Sequence, residues 1–433
     1  MFSKLKSFLL ENTTVSQTIT KNTFWLFFGQ LASRLFRAAI VVYAARLLGA
    51  ESWGAFAYAL GVATFLTIFS DIGINALITK ETARNLELKD QYLATAFFIK
   101  LGLLTLLVLA VIIFFPYLTR IPEAALIMPI LMFVFVFDTL RDLGSALSRA
   151  LEKMQIEAGI QIFTNFAIAV LGFSFLTAQK NSQFLALAYA LGSGLGLTVM
   201  FYALRRHFQN MLTNFNRSLI KAIIVTAWPF GLLGIMGVIM LNTDIIMLGW
   251  LKTPSEVGYY SAAQKLIQVL YVLPALFAAS VFPIMARLVK TDAQAVKKLL
   301  EKSVALVILV SLPIAVLGIA FAEPIVELLF GLEYVPSILT FRILMATILI
   351  VYPASLLGYA IFAYDEQRNF IWFVAVAALG NVLFNFLLIP KFGIEGAAVS
   401  TILVQLLTNA LIWNKVKKIT HLTVWPQIKQ YLS

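Results

Sequence analysis

Two arginines, Arg34 and Arg37, interrupt the otherwise apolar stretch GQLASRLFRAAIVVYAARLLG at 29–49. In a helix they share one face with Gln30, because positions i, i+4 and i+7 lie on the same side. Counted from Asn22 at 1.5 Å per residue, Arg34 lies ~18 Å along the helix axis. A guanidinium at that depth in a bilayer costs at least ~2.5 kcal/mol on insertion scales. We therefore expect this face to contact protein or a water-filled cavity.

Other ionisable residues also lie within apolar segments. The basic ones are Lys100, Arg141, Lys265 and Arg342, and the acidic ones are Asp71, Asp138, Asp142 and Asp244. With Arg34 and Arg37 added, six cations oppose four carboxylates. Even if every acid is paired, positive charge remains. This surplus favours an anionic ligand, and arginine in particular binds phosphate through two parallel hydrogen bonds. The candidate ligand residues are Gln30, Arg34, Arg37, Lys100, Arg141 and Lys265.

The alternative is that these charges form salt bridges that hold neighbouring helices in register. This interpretation is strongest for Asp138, Arg141 and Asp142, which belong to a polar stripe at helical spacing that also includes Ser145 and Arg149.

A second pairing is expected between Asp244 and Lys265, which lie at similar depths on adjacent segments. A further role for the acidic residues is ion coupling, because carboxylates inside membranes commonly relay protons. The candidates for ion coupling or charge pairing are Asp71, Asp138, Asp142 and Asp244.

The elements that carry these residues are membrane-spanning helices. The chain has 433 residues, of which 61% are hydrophobic and only 12% charged. Its apolar runs of about 20 residues have the length of a transmembrane helix. Twelve spans are predicted, at 23–48, 53–78, 92–115, 127–151, 156–177, 184–204, 222–251, 258–285, 304–321, 336–362, 370–389 and 396–413. The expected class is an all-α polytopic membrane protein.

The distribution of lysine and arginine predicts the orientation of these spans. Of the 33 basic residues, 22 lie at the termini and in the loops on the same side, five lie in the opposite loops and six lie within spans. Positive charge marks the cytoplasmic side, so both termini are predicted to be cytoplasmic. The N-terminal segment MFSKLKSFLLEN is interpreted as a short amphipathic helix on that surface, with a disordered tail as the alternative.

A weak internal repeat divides the chain into two halves of six spans. ESWGAFAYA at 51–59 aligns with SEVGYYSAA at 255–263, and both occur where an odd span turns into an even one. We predict two six-helix lobes, residues 1–215 and 216–433, around a central cavity. Parallel repeats of this kind are typical of transporters that work by alternating access.

Several chemistries have no basis in the sequence. Without cysteine there is no thiolate metal site or cysteine nucleophile, and neither histidine, His207 or His421, lies in an apolar segment. No Walker motif or metal-ligand cluster is found. We therefore predict no catalytic residue, cofactor or metal, and the net charge of +12 is interpreted as a topology signal rather than as nucleic-acid binding.

The first 85 residues carry a family resemblance. ARLLGAESWGAFAYA, FSDIGIN and TKETAR, together with the later DIIMLGWLKTPSEVGYYSAAQKL and FGIEGAAVST, resemble Wzx-type oligosaccharide flippases. These belong to the polysaccharide transporter family of the multidrug/oligosaccharidyl-lipid/polysaccharide exporter superfamily. The likeness covers most of the chain, is strongest in residues 20–84 and is loose over 155–215.

The resemblance implies a flippase of the cytoplasmic (inner) membrane. It would move a polyprenyl-pyrophosphate-linked oligosaccharide to the outer leaflet for O-antigen, capsule or exopolysaccharide synthesis. On this basis Arg34 and Arg37 are the first candidates to bind the pyrophosphate, while Asp71 and Asp244 orient them or carry coupling H⁺ or Na⁺. Polymerase and ligase proteins are expected partners, and the polyprenyl tail is expected to stay in membrane lipid.

Three other classes of protein are alternatives. A peptidoglycan-precursor or teichuronic-type flippase would usually have fourteen spans, whereas twelve are predicted. A cation-coupled multidrug exporter of the same superfamily would favour an acidic cavity. A membrane-embedded polymerase or glycosyltransferase would need a large outer loop or a carboxylate cluster at the interface.

Overall fold

The computed structural model describes residues 15–85, 87–289 and 291–432, and the regular elements in these ranges are all helices. The amphipathic segment predicted at 1–12 lies outside the described residues. Helices are expected here because a bilayer offers no hydrogen-bond partners, so each apolar segment must satisfy its own backbone groups. The predicted all-α class is confirmed.

The helices are numbered in chain order. Those before the chain midpoint are α1 (Val15–Asp71), α2 (Ile74–Arg84), α3 (Lys89–Leu118), α4 (Pro122–Ala150), α5 (Met154–Ala178), α6 (Ser182–Ala203), α7 (Arg205–Phe208) and α8 (Met211–Asn214). The rest are α9 (Ser218–Leu251), α10 (Pro254–Leu270), α11 (Val272–Leu288), α12 (Ala293–Ala320), α13 (Ala322–Phe330), a 3-10 turn (Leu332–Tyr334), α14 (Ser337–Ala346), α15 (Ile348–Ala363), α16 (Gln367–Thr420) and α17 (Trp425–Leu432).

Ten helical stretches in the described ranges are long and apolar enough to cross a membrane. Two of them, Thr20–Asp71 and Phe370–Thr420, have 52 and 51 residues. A straight helix of that length would measure ~75 Å, more than twice a hydrocarbon core of ~30 Å. Each is divided by a glycine with non-helical dihedral angles, Gly49 (φ 76°) in the first and Gly393 (φ 57°) in the second. Divided at these glycines, the ten stretches become twelve, the number predicted from the sequence.

Some predicted spans are interrupted. The span predicted at 53–78 is wrong at its end, because α1 stops at Asp71 and the chain bends through Ile72 and Gly73, both with positive φ, before α2 begins. The spans predicted at 258–285 and 336–362 are each interrupted by one residue, Tyr271 and Thr347. The side-chain oxygens of these two residues lie 2.5 Å apart, so the two interruptions face each other.

The described helices form two compact units. One comprises the described residues of 15–48 and 55–238, and the other comprises Gly49–Gly54 and the described residues of 239–432. The short segment Gly49–Gly54 therefore packs with the second unit, although its neighbours on both sides belong to the first. The division into lobes of residues 1–215 and 216–433 stays a prediction.

Within the first unit, α1 packs along α5 and α6. Tyr43 of α1 contacts Phe173 of α5 with ring centroids 4.7 Å apart, and Phe36 contacts Phe166 at 5.4 Å. Edge-to-face pairs of this kind contribute about 0.5–1.5 kcal/mol each beyond the apolar area that they bury. This packing places the part of α1 that carries Arg34 beside the first turns of α5.

Candidate functional site

The charges predicted inside the spans fall into four groups with different surroundings. Lys100 on α3 is fully buried, and its ammonium lies 2.7 Å from an oxygen of Asp71. It also donates a hydrogen bond of 2.8 Å to the side-chain oxygen of Asn75 on α2. Two of the predicted residues, Lys100 and Asp71, are thus brought together as an ion pair between helices. A lysine held in this way has no exposed surface to offer a ligand.

Arg141 and its acidic neighbours form the second group, on α4. Arg141 lies 2.7 Å from Asp138 one turn earlier, and its other terminal nitrogen lies 3.8 Å from Asp142. The side chain of Arg141 is 13% exposed, whereas that of Asp142 is 55% exposed. The three residues therefore form the local stripe of paired charges that the alternative interpretation favoured.

The third group lines a cavity of about 490 Å³ inside the first unit. Gln30, Ser33 and Arg34 contribute from α1, Arg149 from the end of α4, and Glu157 and Gln161 from α5. Leu26 is the apolar member of the lining. The lining carries two arginines and one glutamate, a net charge of +1, in a volume within the ~300–1,000 Å³ typical of ligand sites. Of the predicted ligand residues, the structure brings Gln30 and Arg34 together here.

Arg149 and Glu157 form a bidentate pair in the lining of this cavity. The Nε and Nη2 groups of Arg149 donate hydrogen bonds of 2.9 and 2.8 Å to the two oxygens of Glu157. Gln161 donates a third bond of 3.2 Å to the same carboxylate. The side chain of Glu157 is 3% exposed, and that of Arg149 is 44% exposed. The carboxylate is thus sequestered, while the guanidinium faces open space.

Arg37 lies three residues beyond Arg34 on α1. Its side chain is exposed, and it forms no ion pair with any residue in the described ranges. It is not among the residues that line the 490 Å³ cavity. The two arginines thus lie one turn apart on α1, and of the two Arg34 lines this cavity.

The fourth group surrounds Asp244 on α9, which is 2% exposed. Asn385 and Asn381 of α16 donate to one carboxylate oxygen at 2.6 and 3.1 Å, and Tyr260 and Thr401 donate to the other at 2.6 and 3.1 Å. A cavity of about 60 Å³, room for roughly two water molecules, adjoins this cluster.

Four neutral donors satisfy the carboxylate of Asp244. The ammonium of Lys265 lies 3.4 Å from the amide oxygen of Gln268 on the same helix. The ion pair expected between Asp244 and Lys265 stays a prediction.

Two buried amide oxygens near Asp244 make no hydrogen bond to any residue that the structure describes. They belong to Asn385 and Gln264, and Gln264 also lines the small cavity. Carboxylate, amide and hydroxyl oxygens together are the ligand types that hard cations prefer. Among the described residues, no group of three or more His, Cys, Asp or Glu side chains is positioned to hold a metal ion.

Sequence reasoning missed several residues of these groups. Glu157 was overlooked because a glutamate near the end of a span is ordinarily exposed. Asn381 and Asn385 were also missed, although two amides at i and i+4 in an apolar span give a readable signal of a buried polar face.

The fold is that of known multi-span transporters. The chain is similar to a lipid II flippase in an inward closed conformation, with a TM-score of 0.74 and 16% identity over 92% of this chain and 87% of that one. An inward-facing multidrug resistance transporter of the MATE family gives a TM-score of 0.74 with 13% identity, over 92% and 98% of the two chains. The helices and this likeness define an all-helical, polytopic membrane protein with a transporter fold.

The family follows from the sequence comparison. A family model described as polysaccharide biosynthesis protein matches residues 19–289, more than half of the chain, and the chain belongs to that family. A MatE model also matches residues 229–390. A probable low-salt glycan biosynthesis flippase of Haloferax volcanii is 23% identical over 84% of this chain and 76% of its own length. A putative O-antigen transporter of Shigella flexneri is 22% identical over 88% and 94%. The predicted family resemblance is confirmed.

Proposed function

We propose that this protein is a flippase that moves polyprenyl-pyrophosphate-linked oligosaccharide from the cytoplasmic to the outer leaflet for surface polysaccharide assembly. The observation that carries the proposal is the net positive 490 Å³ cavity, lined by Arg34 and Arg149, inside an apolar helical unit. Charge of this kind is costly in a membrane and is retained where an ion or polar substrate must pass. Relatives named as a glycan flippase and an O-antigen transporter support the same substrate class.

The mechanism follows from the chemistry of the substrate. The pyrophosphate is the anionic part, so it binds the arginines, while the glycan occupies polar space and the polyprenyl chain stays in lipid. No covalent bond is made or broken, so the role is transport and not catalysis. A lining with two arginines and one glutamate favours an anionic substrate over the cationic drugs of a multidrug exporter.

The proposed location is the cytoplasmic (inner) membrane, with both termini in the cytoplasm. The bias of 22 basic residues on one side against five on the other supports this orientation. Because the chain contains no cysteine, single cysteines introduced into opposite loops would report the side of each loop by labelling. Labelling of Arg206→Cys only from outside the cell would contradict the orientation.

Arg34→Ala should lower the translocation of a defined polyprenyl-pyrophosphate-linked oligosaccharide in proteoliposomes. Loss of one charge-assisted hydrogen-bonding group costs about 2 kcal/mol, which corresponds to roughly thirtyfold weaker binding. The measurement is the initial rate of appearance of the glycan on the outer face as substrate concentration varies. Arg46→Ala, which removes an exposed arginine from the same helix outside the cavity, should leave that rate nearly unchanged.

Equal transport kinetics of Arg34→Ala and Arg46→Ala would contradict the proposed anion site. A wild-type protein that moves no lipid-linked oligosaccharide would contradict the proposed function. A peptidoglycan precursor carries the same pyrophosphate and should compete in this assay, so the relative rates of the two substrates decide between the leading function and its nearest alternative.

We further propose that Asp244 couples transport to a monovalent cation or proton. One carboxylate among neutral oxygen donors balances one positive charge, and the adjoining 60 Å³ cavity gives such an ion room. Coupling sites near the middle of the membrane are typical of transporters built from repeats. Binding of the ion would replace the hydrogen bonds that Asn381, Asn385, Tyr260 and Thr401 now donate to the carboxylate.

Asp244→Asn should abolish the response of transport to an imposed Na⁺ or H⁺ gradient. The variant should still fold, because the hydroxyls of Tyr260 and Thr401 can rotate to accept hydrogen bonds from the new amide. The measurement is the transport rate with and without each gradient. Asp365→Asn, which neutralises an exposed carboxylate at a position of positive φ that asparagine tolerates, serves as the control. An unchanged gradient response in Asp244→Asn would refute the coupling site.

A further inference from the structure

The Arg149–Glu157 pair supplies one of the two arginines and the carboxylate in the lining of the cationic cavity. An arginine near the cytoplasmic end of a span could simply reach water, yet this one is held in a fixed plane by two hydrogen bonds to a buried carboxylate. A purely structural pair would bury both partners, but the guanidinium side chain is 44% exposed while the carboxylate is 3% exposed. The asymmetry shows that the pair presents its cationic side to the cavity.

The donor count supports a ligand role. A guanidinium has five N–H groups, and Glu157 takes two of them, one on Nε and one on Nη2. Three N–H groups therefore remain for other acceptors, enough for the fork geometry with which arginine binds phosphate oxygens. Gln161 bonds to the same carboxylate, so Glu157 cannot rotate away without breaking three hydrogen bonds.

The charge balance explains why a glutamate stands behind this arginine. Without Glu157 the lining that the structure describes would hold two arginines and no carboxylate, and concentrating like charge inside an apolar unit is costly. With Glu157 the net charge of the lining is +1, while all three free N–H groups still point away from the carboxylate. The pair therefore offers N–H groups that can donate hydrogen bonds to a phosphate, at a low electrostatic cost when the cavity is empty.

We propose that Arg149 is a second pyrophosphate ligand, acting together with Arg34, and that Glu157 is the residue that positions it. The anion site then lies within the first unit, between α1, α4 and α5, and uses Arg34 with Arg149 rather than Arg34 with Arg37. This inference rests on the proposed function for the identity of the substrate and adds the residues and place of its anionic group.

The test uses the Arg149→Gln/Glu157→Gln double variant of the full chain, purified in detergent. This change removes one positive and one negative charge, so the net charge of the cavity stays the same and the two glutamines can bond to each other. We expect a wild-type melting temperature and at least about tenfold weaker binding of inorganic pyrophosphate, the effect of losing charge-assisted hydrogen bonds. The matched control is Lys415→Gln/Glu366→Gln, which removes an ion pair of 2.8 Å from the other unit.

Wild-type affinity in the double variant would overturn the proposal. A reversed pair, Arg149→Glu/Glu157→Arg, separates a ligand role from a structural one. It keeps the ion pair but moves the cation to α5, so it should keep the wild-type melting temperature and still bind pyrophosphate at least about tenfold more weakly than the wild type. Wild-type binding in the reversed pair would show that only the pairing matters and would refute the ligand role.

A second measurement needs no variant. Phenylglyoxal modifies exposed arginines, and mass spectrometry of the wild-type protein reads each site separately. Pyrophosphate should protect Arg149 and Arg34 over the same concentration range and should leave Arg46 reactive. Protection of Arg34 without Arg149 would overturn the proposal. If Arg149 is protected and yet the wild-type protein moves no lipid-linked oligosaccharide, the anion site stands and the proposed function fails.

Discussion

Asp71→Asn should sharply reduce the amount of folded protein, and adding Lys100→Met should restore it. In the single variant the fully buried ammonium of Lys100 loses the negative charge 2.7 Å away and is left with neutral amide oxygens, that of the new asparagine and that of Asn75. Removing one partner from a buried ion pair typically costs about 3–5 kcal/mol, because the remaining charge stays buried without compensation. In the double variant a methionine of similar length fills the same space without charge.

The measurement is the yield of monodisperse protein and its melting temperature in detergent. Asp142→Asn is the matched control, because this carboxylate on α4 is 55% exposed and lies 3.8 Å from its cationic partner, so its removal should change stability little. Equal stability of Asp71→Asn and wild type would contradict the expected cost. A double variant that stays unstable would show that Lys100 makes other essential contacts.

The same double variant decides what Lys100 does in transport. The sequence named Lys100 as a candidate ligand for the anionic substrate, whereas the structure pairs it with Asp71. If the pairing is its whole role, Asp71→Asn/Lys100→Met should move lipid-linked oligosaccharide at close to the wild-type rate. A double variant that folds normally but does not transport would show that Lys100 or Asp71 takes part in substrate binding or ion coupling.

The spans could be predicted from the sequence because hydropathy and length are local properties. Both glycines that divide the long helical stretches, Gly49 and Gly393, fall between predicted spans, so twelve segments follow without any tertiary information. The bend at Ile72 and Gly73 was missed, since apolar character continues through it and hydropathy does not sense a change of backbone direction.

The pairing of charges could not be predicted in the same way. Asp71 meets a lysine 29 positions later, and Asp244 meets two asparagines more than 130 positions later. Helical periodicity says which residues share a face of one helix, but not which faces of distant helices meet. The neutral donors around Asp244 could not be predicted for this reason, because matching depth on neighbouring helices does not fix their rotation.

Gly54→Ala and Gly258→Ala should each destabilise the protein strongly, with a double variant scarcely worse than either single one. The two glycines occupy equivalent positions in the repeat segments 51–59 and 255–263. A Cβ on Gly54 would overlap the carbonyl oxygen of Pro254 and lie 2.7 Å from the amide nitrogen of Gly258. A Cβ on Gly258 would overlap the carbonyl oxygen of Ala50.

The size of the effect follows from what each methyl group meets. Overpacking typically costs about 1–3 kcal/mol, and the upper end applies when the obstacle is backbone that cannot rotate away. The helices must therefore move apart, which also loses the close backbone approach that small residues permit in membrane proteins. The position of Ala50 is also fixed by Glu333, because the backbone N–H of Ala50 donates a hydrogen bond of 2.6 Å to the carboxylate of Glu333.

Gly102→Ala and Gly159→Ala provide the matched controls. Both glycines lie inside helices, and a Cβ at either would meet no atom within 4 Å. Each substitution should leave the melting temperature unchanged or raise it, because alanine stabilises a helix by about 1 kcal/mol relative to glycine. A loss of stability at these positions equal to that at Gly54 would show that glycine is needed in these helices for a reason other than close packing.

The double variant tests whether the two copies of the repeat form one contact. Each glycine lies against the carbonyl of the residue four positions before the other glycine, so one separation of the helices relieves both clashes. The loss of stability in Gly54→Ala/Gly258→Ala should therefore be well below the sum of the two single losses, as is usual for residues that share a contact. Additive losses would mean that the two glycines pack independently and that the repeat does not couple their contributions to stability.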